Sequence, residues 1–357
     1  MTPMKRPILT IHLPSLVHNW TMLRNRHKGL HVGATVKANA YGLGVHECAL
    51  ALHKAGCRYF FVATLNEAIT LRCSIKNNPI YVFQGMLQGE EQLYAAHHIH
   101  PVINSVAQLR NYKASHNLPS AALHIDSGMQ RLGLDMTELT QDIITLIKQS
   151  DIAFIMTHYA CASDLCHPLN SQQLHIMKQA KHQLPHLATS YANSAAHFLP
   201  CSYHGDITRP GCALYGINPC DMIPNPMQSV VTLTAPILQV RKIRHTSTIG
   251  YMATQHIPKG ATTVTASIGY ADGIHRTASH ALYGFIGDYK LPLVGRVTMD
   301  ACCFDASHVP SSVLEQSDSI EIMNHHQDVN DMARLYGTIG YEVLTSLGQR
   351  IERRYVY

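Results

Sequence analysis

Residues 121–158 read AALHIDSGMQRLGLDMTELTQDIITLIKQSDIAFIMTH, and they contain two short apolar runs with a helix-like segment between them. The runs AALHID (121–126) and IAFIMTH (152–158) have the length and composition of buried strands. The segment DIITLIKQ (142–149) spaces its apolar residues as a helix does. A strand, a helix and a second strand in this order predict a parallel βαβ unit.

Six further apolar runs repeat this pattern on both sides of that unit. They are HVGATVKA (31–38), YFFVA (59–63), IYVFQ (80–84), HPVINS (100–105), LATSYAN (187–193) and DITRPGCALYG (206–216). Eight runs with helical crossovers favour an α/β fold of the closed (β/α)8 TIM-barrel type over an open sheet. In such a barrel the chemistry lies at the carboxyl ends of the strands.

A proline-rich segment, NPCDMIPNPMQS (218–229), then interrupts the pattern. The runs after it, at 230–243, 261–270 and 282–305, are rich in Val, Ile, Thr and Tyr and predict a mainly β second domain. One helix-like stretch from Val329 to Leu347 precedes a short terminal strand. We predict a barrel over 11–218, a linker over 219–229 and a β-rich domain over 230–357, to which residues 1–10 could add an N-terminal strand.

Composition excludes several functional classes. The chain is 46% apolar and 14% charged, which is typical of a globular protein and not of a disordered one. The net charge of +5 is small and no basic stripe is present, which argues against nucleic-acid binding. No run approaches 18 apolar residues, and no signal peptide is visible. Ten cysteines without a CxxC pair and 25 scattered histidines predict no metal site. We expect a cytoplasmic protein with reduced thiols.

The strongest chemical signal is the run VKANAYGLG (36–44), which follows the first predicted strand. It places Lys37 at a strand end, where the barrel core should continue. An ammonium group in such a position must be paired, neutralised or bonded covalently. A lysine in a dry barrel mouth suits a Schiff base. A lysine at the barrel rim that reaches solvent remains the alternative on this run alone.

This run resembles the cofactor-lysine signature of the alanine racemases, which depend on pyridoxal 5'-phosphate (PLP). Seven more motifs follow in the order typical of that family: DSGMQRLG (126–133), THYA (157–160), ANSA (192–195), RPGCALYG (209–216), GYMAT (250–254), GYADG (269–273) and VGRVTMD (294–300). The resemblance implies a PLP-binding barrel, a β domain and a homodimer that racemises a small amino acid.

The resemblance also implies a pair of catalytic residues. Lys37 would bind PLP and act as acid and base on one face of the substrate α-carbon. Tyr251, supplied by the partner subunit, would act on the opposite face. A neutral phenol is a weak base, so a neighbouring cation must favour its phenolate. The resemblance places Arg131, His158 and Arg209 in the network that does this.

Further site residues follow from the same resemblance. Arg209 would face the pyridine nitrogen of PLP and, being always charged, would leave that nitrogen unprotonated. The phosphate would be bound by Tyr41, Ser194 and the backbone amides around Gly211 and Cys212. The remaining residues would contact the substrate or line its entrance: Arg131 and the Met299 backbone at the substrate, and Tyr270, Arg276 and Arg296 at the entrance.

Four positions depart from the family pattern. Glu352 stands where a proline is usual and Met252 where a glycine is usual, and the other two are His124 and Gln349. Many members carry a carbamylated lysine where this chain has His124, and an imidazole cannot supply the negative charge of a carbamate. What supports Arg131 is therefore left open. In many members a tyrosine binds the phosphate near the C-terminus, whereas the matching position here is Gln349.

Four alternative functions were compared with alanine racemisation. A PLP-dependent decarboxylase of the same plan usually has a glycine-cluster phosphate loop, and no adjacent glycine pair occurs here. A PLP carrier built from the barrel alone lacks the second domain and Tyr251. A racemase acting on serine or a broader range of amino acids, and a catalytically impaired PLP-binding relative, both stay open. Among these, interconversion of L- and D-alanine, with D-alanine used for peptidoglycan, is the function we predict.

Overall fold

The computed structural model describes residues 5–220, 224–279 and 281–357, which form two units. One unit contains residues 15–228, and the other contains residues 5–14 together with 229–357. Two parts of the predicted segments lie outside the described residues: Asp221–Ile223 of the linker and the first four residues of the N-terminal strand.

Among its described residues, the larger unit contains nine short strands. They are His31–Val32, Ala34–Thr35, Phe60–Val62, Ile80–Val82, His100–Ile103, Ala121–His124, Ile152–Met156, Ala188–Ser190 and Ile207–Thr208. From Ala34–Thr35 to Ala188–Ser190 they form one parallel sheet in chain order. The two segments on either side of Gly33 serve as one strand, so the count agrees with eight.

Hydrogen bonds at the last strand close this sheet into a ring. Ile207–Thr208 pairs in parallel with His31–Val32, and the Thr35 N–H donates to the Pro210 carbonyl at 2.8 Å. On the other side, the Arg209 N–H donates to the Ala192 carbonyl at 2.9 Å. As the eighth strand position, the segment around Arg209 therefore joins the first and the seventh, and the predicted (β/α)8 barrel is confirmed.

Helices follow most of the barrel strands, and apolar side chains fill its interior. The α-helices are Leu13–Arg26, Val45–Lys54, Leu65–Ser74, Glu91–Ala96, Val106–Ala114, Gln141–Lys148 and Pro168–Gln183. A buried cluster draws one or two residues from each of six strands: Phe61, Tyr81, Val102, Ala122, Phe154, Met156 and Ile207. Such a filled interior leaves the strand ends as the place where ligands can bind.

The second unit, as far as the structure describes it, is built on a mainly antiparallel sheet of eight strands. In spatial order they are Thr262–Ala266, Cys302–Asp305, Tyr289–Val294, Tyr283–Ile286, Ser319–Met323, Val231–Lys242, Ile8–His12 and Glu352–Val356. The long strand Val231–Lys242 also pairs with Thr262–Ala266, which closes six of the strands into a circuit. Only the last two strands, Ile8–His12 and Glu352–Val356, are parallel to each other. The predicted mainly β domain is confirmed.

Short elements complete the second unit and carry several predicted site residues. They are the hairpin Ser247–Ile249 with Gln255–Ile257, the helices Ser311–Gln316, Val329–Tyr336 and Gly340–Ser346, and the 3-10 turns Tyr251–Ala253, Tyr270–Asp272 and Arg276–Ala278. The helix predicted from Val329 to Leu347 is thus two helices. Gly337 ends the first one with φ of +71°, a conformation that glycine adopts without steric cost.

Candidate active site

Lys37 begins an unusual backbone turn at the end of the first barrel strand. The predicted strand 31–38 ends at Thr35, and the four residues Ala38–Tyr41 all have φ between +52° and +56°. This is a left-handed turn, which costs L-residues roughly 1–2 kcal/mol each. Its own hydrogen bonds include Ala40 N–H to the Val36 carbonyl at 2.9 Å and Gly42 N–H to the Ala38 carbonyl at 2.8 Å. The surrounding structure therefore imposes a strained conformation directly after Lys37.

The amine of Lys37 is half-buried, and its pKa is lowered. Desolvation is the largest cause, and the positive charge of Arg131 acts in the same direction. Glu67 and Cys212 oppose the shift. Among the described residues, no side chain or carbonyl accepts a hydrogen bond from Nζ. A lowered pKa raises the fraction of the amine that is neutral, and the neutral amine is the form that attacks carbonyl groups.

Arg209 lies fully inside the barrel mouth, with only 3% of its surface exposed. Its Nη1 donates to the Ser190 carbonyl at 2.7 Å and to the Ser190 hydroxyl at 2.6 Å, and its Nη2 donates to the Thr157 carbonyl. Burial lowers its pKa to about 9, so the guanidinium stays charged at neutral pH. Its buried Nε–H has no acceptor among the described residues. A buried donor of this kind is satisfied by a ligand that accepts a hydrogen bond.

Two histidines near Arg209 are held neutral. Burial and the charge of Arg209 lower the pKa of His158 to about 3 and that of His124 to about 4. The His124 Nδ1–H donates to the Asn104 side-chain oxygen at 2.8 Å. Asn104 in turn donates its amide hydrogens to the Phe83 and Val102 carbonyls, which fixes its oxygen toward the ring. The departure at His124 therefore places a neutral imidazole, without anionic character, in this network.

We expect His124 to cause acid-dependent loss of stability. Between pH 6.5 and about 4 the unfolded chain binds a proton at this residue that the folded chain excludes. The free energy of unfolding should then fall by about 1.4 kcal/mol per pH unit on account of His124 alone. Urea unfolding of the apoprotein at several pH values should show a shallower dependence for His124→Gln. The exposed His186→Gln serves as control, and an equal change in both variants would contradict this assignment.

The loop that carries Arg131 is organised by one carboxylate. Asp126 Oδ1 accepts the backbone N–H groups of Gly128, Met129 and Gln130 at 2.9, 2.9 and 3.2 Å. Arg131 itself is exposed at the tip of the loop. Asp126 follows strand Ala121–His124. The three hydrogen bonds to its carboxylate therefore hold the loop with Arg131 at the carboxyl end of the barrel.

Gln173 is a site residue that sequence reasoning missed. It is fully buried, and its Nε2 donates to the Ser127 hydroxyl and to the His158 carbonyl, both at 3.0 Å. Its Oε1 accepts the Ala160 N–H at 3.0 Å. Gln173 thus connects the loops after two neighbouring strands. Its helix buries positions 170, 173, 174, 177 and 180, so a polar residue on this apolar stripe was the available signal.

Ser194, Gly211 and Tyr41 lie together on the side of the first and last strands. The Ser194 hydroxyl accepts the N–H groups of Gly211 at 2.8 Å and Ala213 at 3.2 Å, and its side chain also interacts with the Cys212 thiol. A Cβ at Gly211 would collide with the Tyr41 hydroxyl, so a larger residue there would displace the Tyr41 ring. Burial raises the pKa of the neighbouring Cys212 thiol. The hydroxyl groups of Ser194 and Tyr41 therefore both lie against the Gly211 backbone.

The predicted residues of the second unit lie on adjoining loops. The Tyr270 N–H donates to the Thr298 carbonyl at 3.0 Å and the Ala271 N–H to the Met299 carbonyl at 3.1 Å. Tyr251 is 68% exposed, and Tyr270 and Met299 are also exposed. Of the entrance residues, Arg276 is exposed and Arg296 is half-buried.

An ion-pair network supports these loops from the C-terminal side. Arg350 pairs with the buried Asp272 at 2.9 Å and with Asp300 at 2.6 Å. Asp272 follows Tyr270 by two residues, and Asp300 follows Met299 directly. Gln349, beside Arg350, is exposed.

No helix among residues 5–220, 224–279 and 281–357 is long and apolar enough to cross a membrane.

Comparison with known proteins identifies the class of protein. The family models for the N-terminal and C-terminal domains of alanine racemase match residues 11–219 and 230–355. The catabolic alanine racemase of Mesorhizobium japonicum is 42% identical over 98% of this chain and 93% of that protein. The alanine racemase of Rhizobium meliloti is 39% identical over 98% and 96%.

A solved structure agrees with these matches. The alanine racemase of Bartonella henselae, which carries covalently bound pyridoxal phosphate, superposes with a TM-score of 0.90 at 35% identity, over 99% of this chain and all of that one. The chain therefore belongs to the alanine racemase family, and the resemblance inferred from the motifs is confirmed.

Proposed function

We propose that this chain interconverts L- and D-alanine, with PLP bound covalently at Lys37. The observation that carries the proposal is the Lys37 amine, which is half-buried at a strand end with a lowered pKa. The family match and the PLP-bound Bartonella henselae structure support it.

Three features of the barrel fit PLP. The unsatisfied Nε–H of Arg209 is a donor for the ring nitrogen. The Ser194 hydroxyl is the donor that we assign to the phosphate, and Lys37 supplies the amine for the aldehyde. When bound, PLP withdraws electrons from the substrate α-carbon and so makes its proton acidic. Arg209 stays charged, so it leaves the ring nitrogen unprotonated and limits this withdrawal, which suits racemisation.

Racemisation needs a proton removed from one face and a proton returned to the other. On one face we assign Nζ of Lys37, because its lowered pKa raises the neutral fraction that can accept a proton. On the opposite face we assign the hydroxyl of Tyr251, supplied by the partner subunit. The positive charge of Arg131 disfavours a charged amine at Lys37, and the buried His158 nearby stays neutral.

The proposal includes a homodimer with two shared sites. Its support is the position of Tyr251 on an exposed turn, together with the family resemblance. The assignments of Tyr41, Gly211 and Cys212 to the phosphate, of Arg131 and Met299 to the substrate, and of Tyr270, Arg276 and Arg296 to the entrance belong to the same proposal. D-alanine is a precursor of peptidoglycan, and we propose that use for the product.

The test is the formation of D-alanine from L-alanine by the purified protein with PLP. We expect D-alanine to accumulate until the two enantiomers are equal, because free enantiomers have equal energy. L-serine in a parallel assay measures substrate breadth. A protein that binds PLP but produces neither D-alanine nor D-serine would support the catalytically impaired relative instead.

A further inference from the structure

Glu67 contacts the Lys37 turn from a neighbouring part of the barrel. Its Oε1 accepts the Ala38 N–H at 2.8 Å. Its Oε2 accepts the Ala63 N–H at 2.7 Å and the Thr64 N–H at 3.2 Å. One carboxylate therefore joins the loop after strand Ala34–Thr35 to the loop after strand Phe60–Val62, two strands that pair in parallel.

A hydrogen bond to the Ala38 N–H restricts the backbone conformation of Lys37. This N–H belongs to the peptide group that also contains the Lys37 carbonyl, and peptide groups are planar. Holding the N–H therefore fixes the orientation of the Lys37 backbone. Ala38 is also the first of the four left-handed residues, whose strain needs compensation from outside the turn.

Glu67 is itself held in place by the start of its helix. It is the third residue of helix Leu65–Ser74 and forms a capping box with Thr64, whose hydroxyl accepts the Glu67 N–H at 3.2 Å. A capping box alone uses the carboxylate for the cap residue. The extra bond to Ala38 goes beyond that role.

The charge of Glu67 acts on the Lys37 amine as well. Three groups on the elements around Lys37 influence its protonation, namely Arg131, Glu67 and Cys212, and His158 lies near enough for the charge of Lys37 to lower its own pKa. Arg131 disfavours the ammonium form, whereas Glu67 favours it. His158 is neutral and Cys212 keeps its proton, so Glu67 supplies the negative charge in this group.

We propose that Glu67 is a positioning residue that fixes the backbone of Lys37 and sets the fraction of its amine that is neutral. This inference rests on the proposed function, because it concerns the lysine that binds PLP. The ligand whose attachment Glu67 would influence is an aldehyde that also carries a phosphate group, the class to which PLP belongs.

The test measures covalent attachment of PLP to the apoprotein as a function of pH. The bound PLP is reduced with borohydride, and the labelled peptide is identified by mass spectrometry. For Glu67→Gln we expect the pH midpoint of the attachment rate to fall by about one unit, because an opposite charge near the amine is lost. Thr64→Ala is the matched control, since it breaks the same capping box and keeps the carboxylate. It should lower the melting temperature and leave the midpoint unchanged.

A second variant separates the effect of the Glu67 charge from the effect of its hydrogen bonds to the two loops. Glu67→Asp keeps the charge but is too short to bond both loops, so the midpoint should stay and the attachment rate should fall about tenfold or more. Two results would overturn the proposed role of Glu67: an unchanged pH midpoint in Glu67→Gln, or an unchanged attachment rate in Glu67→Asp. If the label is still found on Lys37, the proposed function is not affected by either result. If Glu67→Gln does not fold, Glu67→Asp decides. Absence of label from Lys37 in the unmodified protein would overturn the proposed function instead.

Discussion

Lys37→Ala should abolish racemisation, with a loss of about 1,000-fold or more in the rate of D-alanine formation. Two effects combine at this residue. The variant loses the covalent bond to PLP and also the group that exchanges a proton with one face of the substrate. Alanine offers neither an amine nor a proton-accepting atom, so no partial function is retained. The rate is measured from the appearance of D-alanine, and attachment is measured by borohydride reduction.

The control for this prediction is Lys54→Ala. Lys54 is an exposed lysine at the end of the next helix, so its loss changes the net charge equally. We expect full activity and full PLP attachment in that variant. If the Lys37→Ala protein keeps more than about one-tenth of the wild-type rate, Lys37 is not the catalytic lysine.

Mixing two inactive variants should regenerate activity. Lys37→Ala and Tyr251→Phe subunits would each be nearly inactive as homodimers, because both sites lack one of the two proton-transferring groups. In a mixed dimer one site would receive Lys37 and Tyr251 intact, while the other would lack both. Random exchange makes half of the dimers mixed, with one working site in two, so about one quarter of the wild-type activity should return.

The control places both changes in one chain. A Lys37→Ala/Tyr251→Phe double variant mixed with Lys37→Ala can form no intact site and should stay inactive. Subunit exchange is followed independently, with differently tagged chains. Demonstrated exchange without recovery would show that Lys37 and Tyr251 act within one subunit or not at all.

Much of the fold follows from local patterns. Each predicted barrel run contains a strand, because short apolar runs between helix-like segments have few other ways to bury themselves. The ends were less predictable. The run 31–38 continues as apolar sequence past Thr35, yet the chain leaves the strand there. The left-handed turn at Ala38–Tyr41 contains no glycine, and its single asparagine, Asn39, is too weak a signal to predict four successive residues with positive φ.

The site was predictable where a residue type carries the chemistry and unpredictable where it supports another residue. Lys37 and Arg209 can be recognised in the sequence because burying a charge at a strand end is costly unless the charge has a partner or a function. Glu67, Asn104 and Gln173 act through hydrogen bonds to distant backbone groups. In the sequence Glu67 resembles an ordinary capping residue and Asn104 an ordinary loop residue. Only the three-dimensional structure shows which N–H, carbonyl or ring each of them meets.

The sheet order of the second unit has a consequence for synthesis on the ribosome. The strand Ile8–His12 lies between Val231–Lys242 and Glu352–Val356, so one neighbour is translated more than 200 residues later and the other about 340 residues later. The barrel strands are complete by Thr208, and the barrel can close first. Until Val231–Lys242 has been translated, the strand Ile8–His12 has two unpaired edges. A nascent chain must keep this segment from pairing wrongly for most of the time that its translation takes.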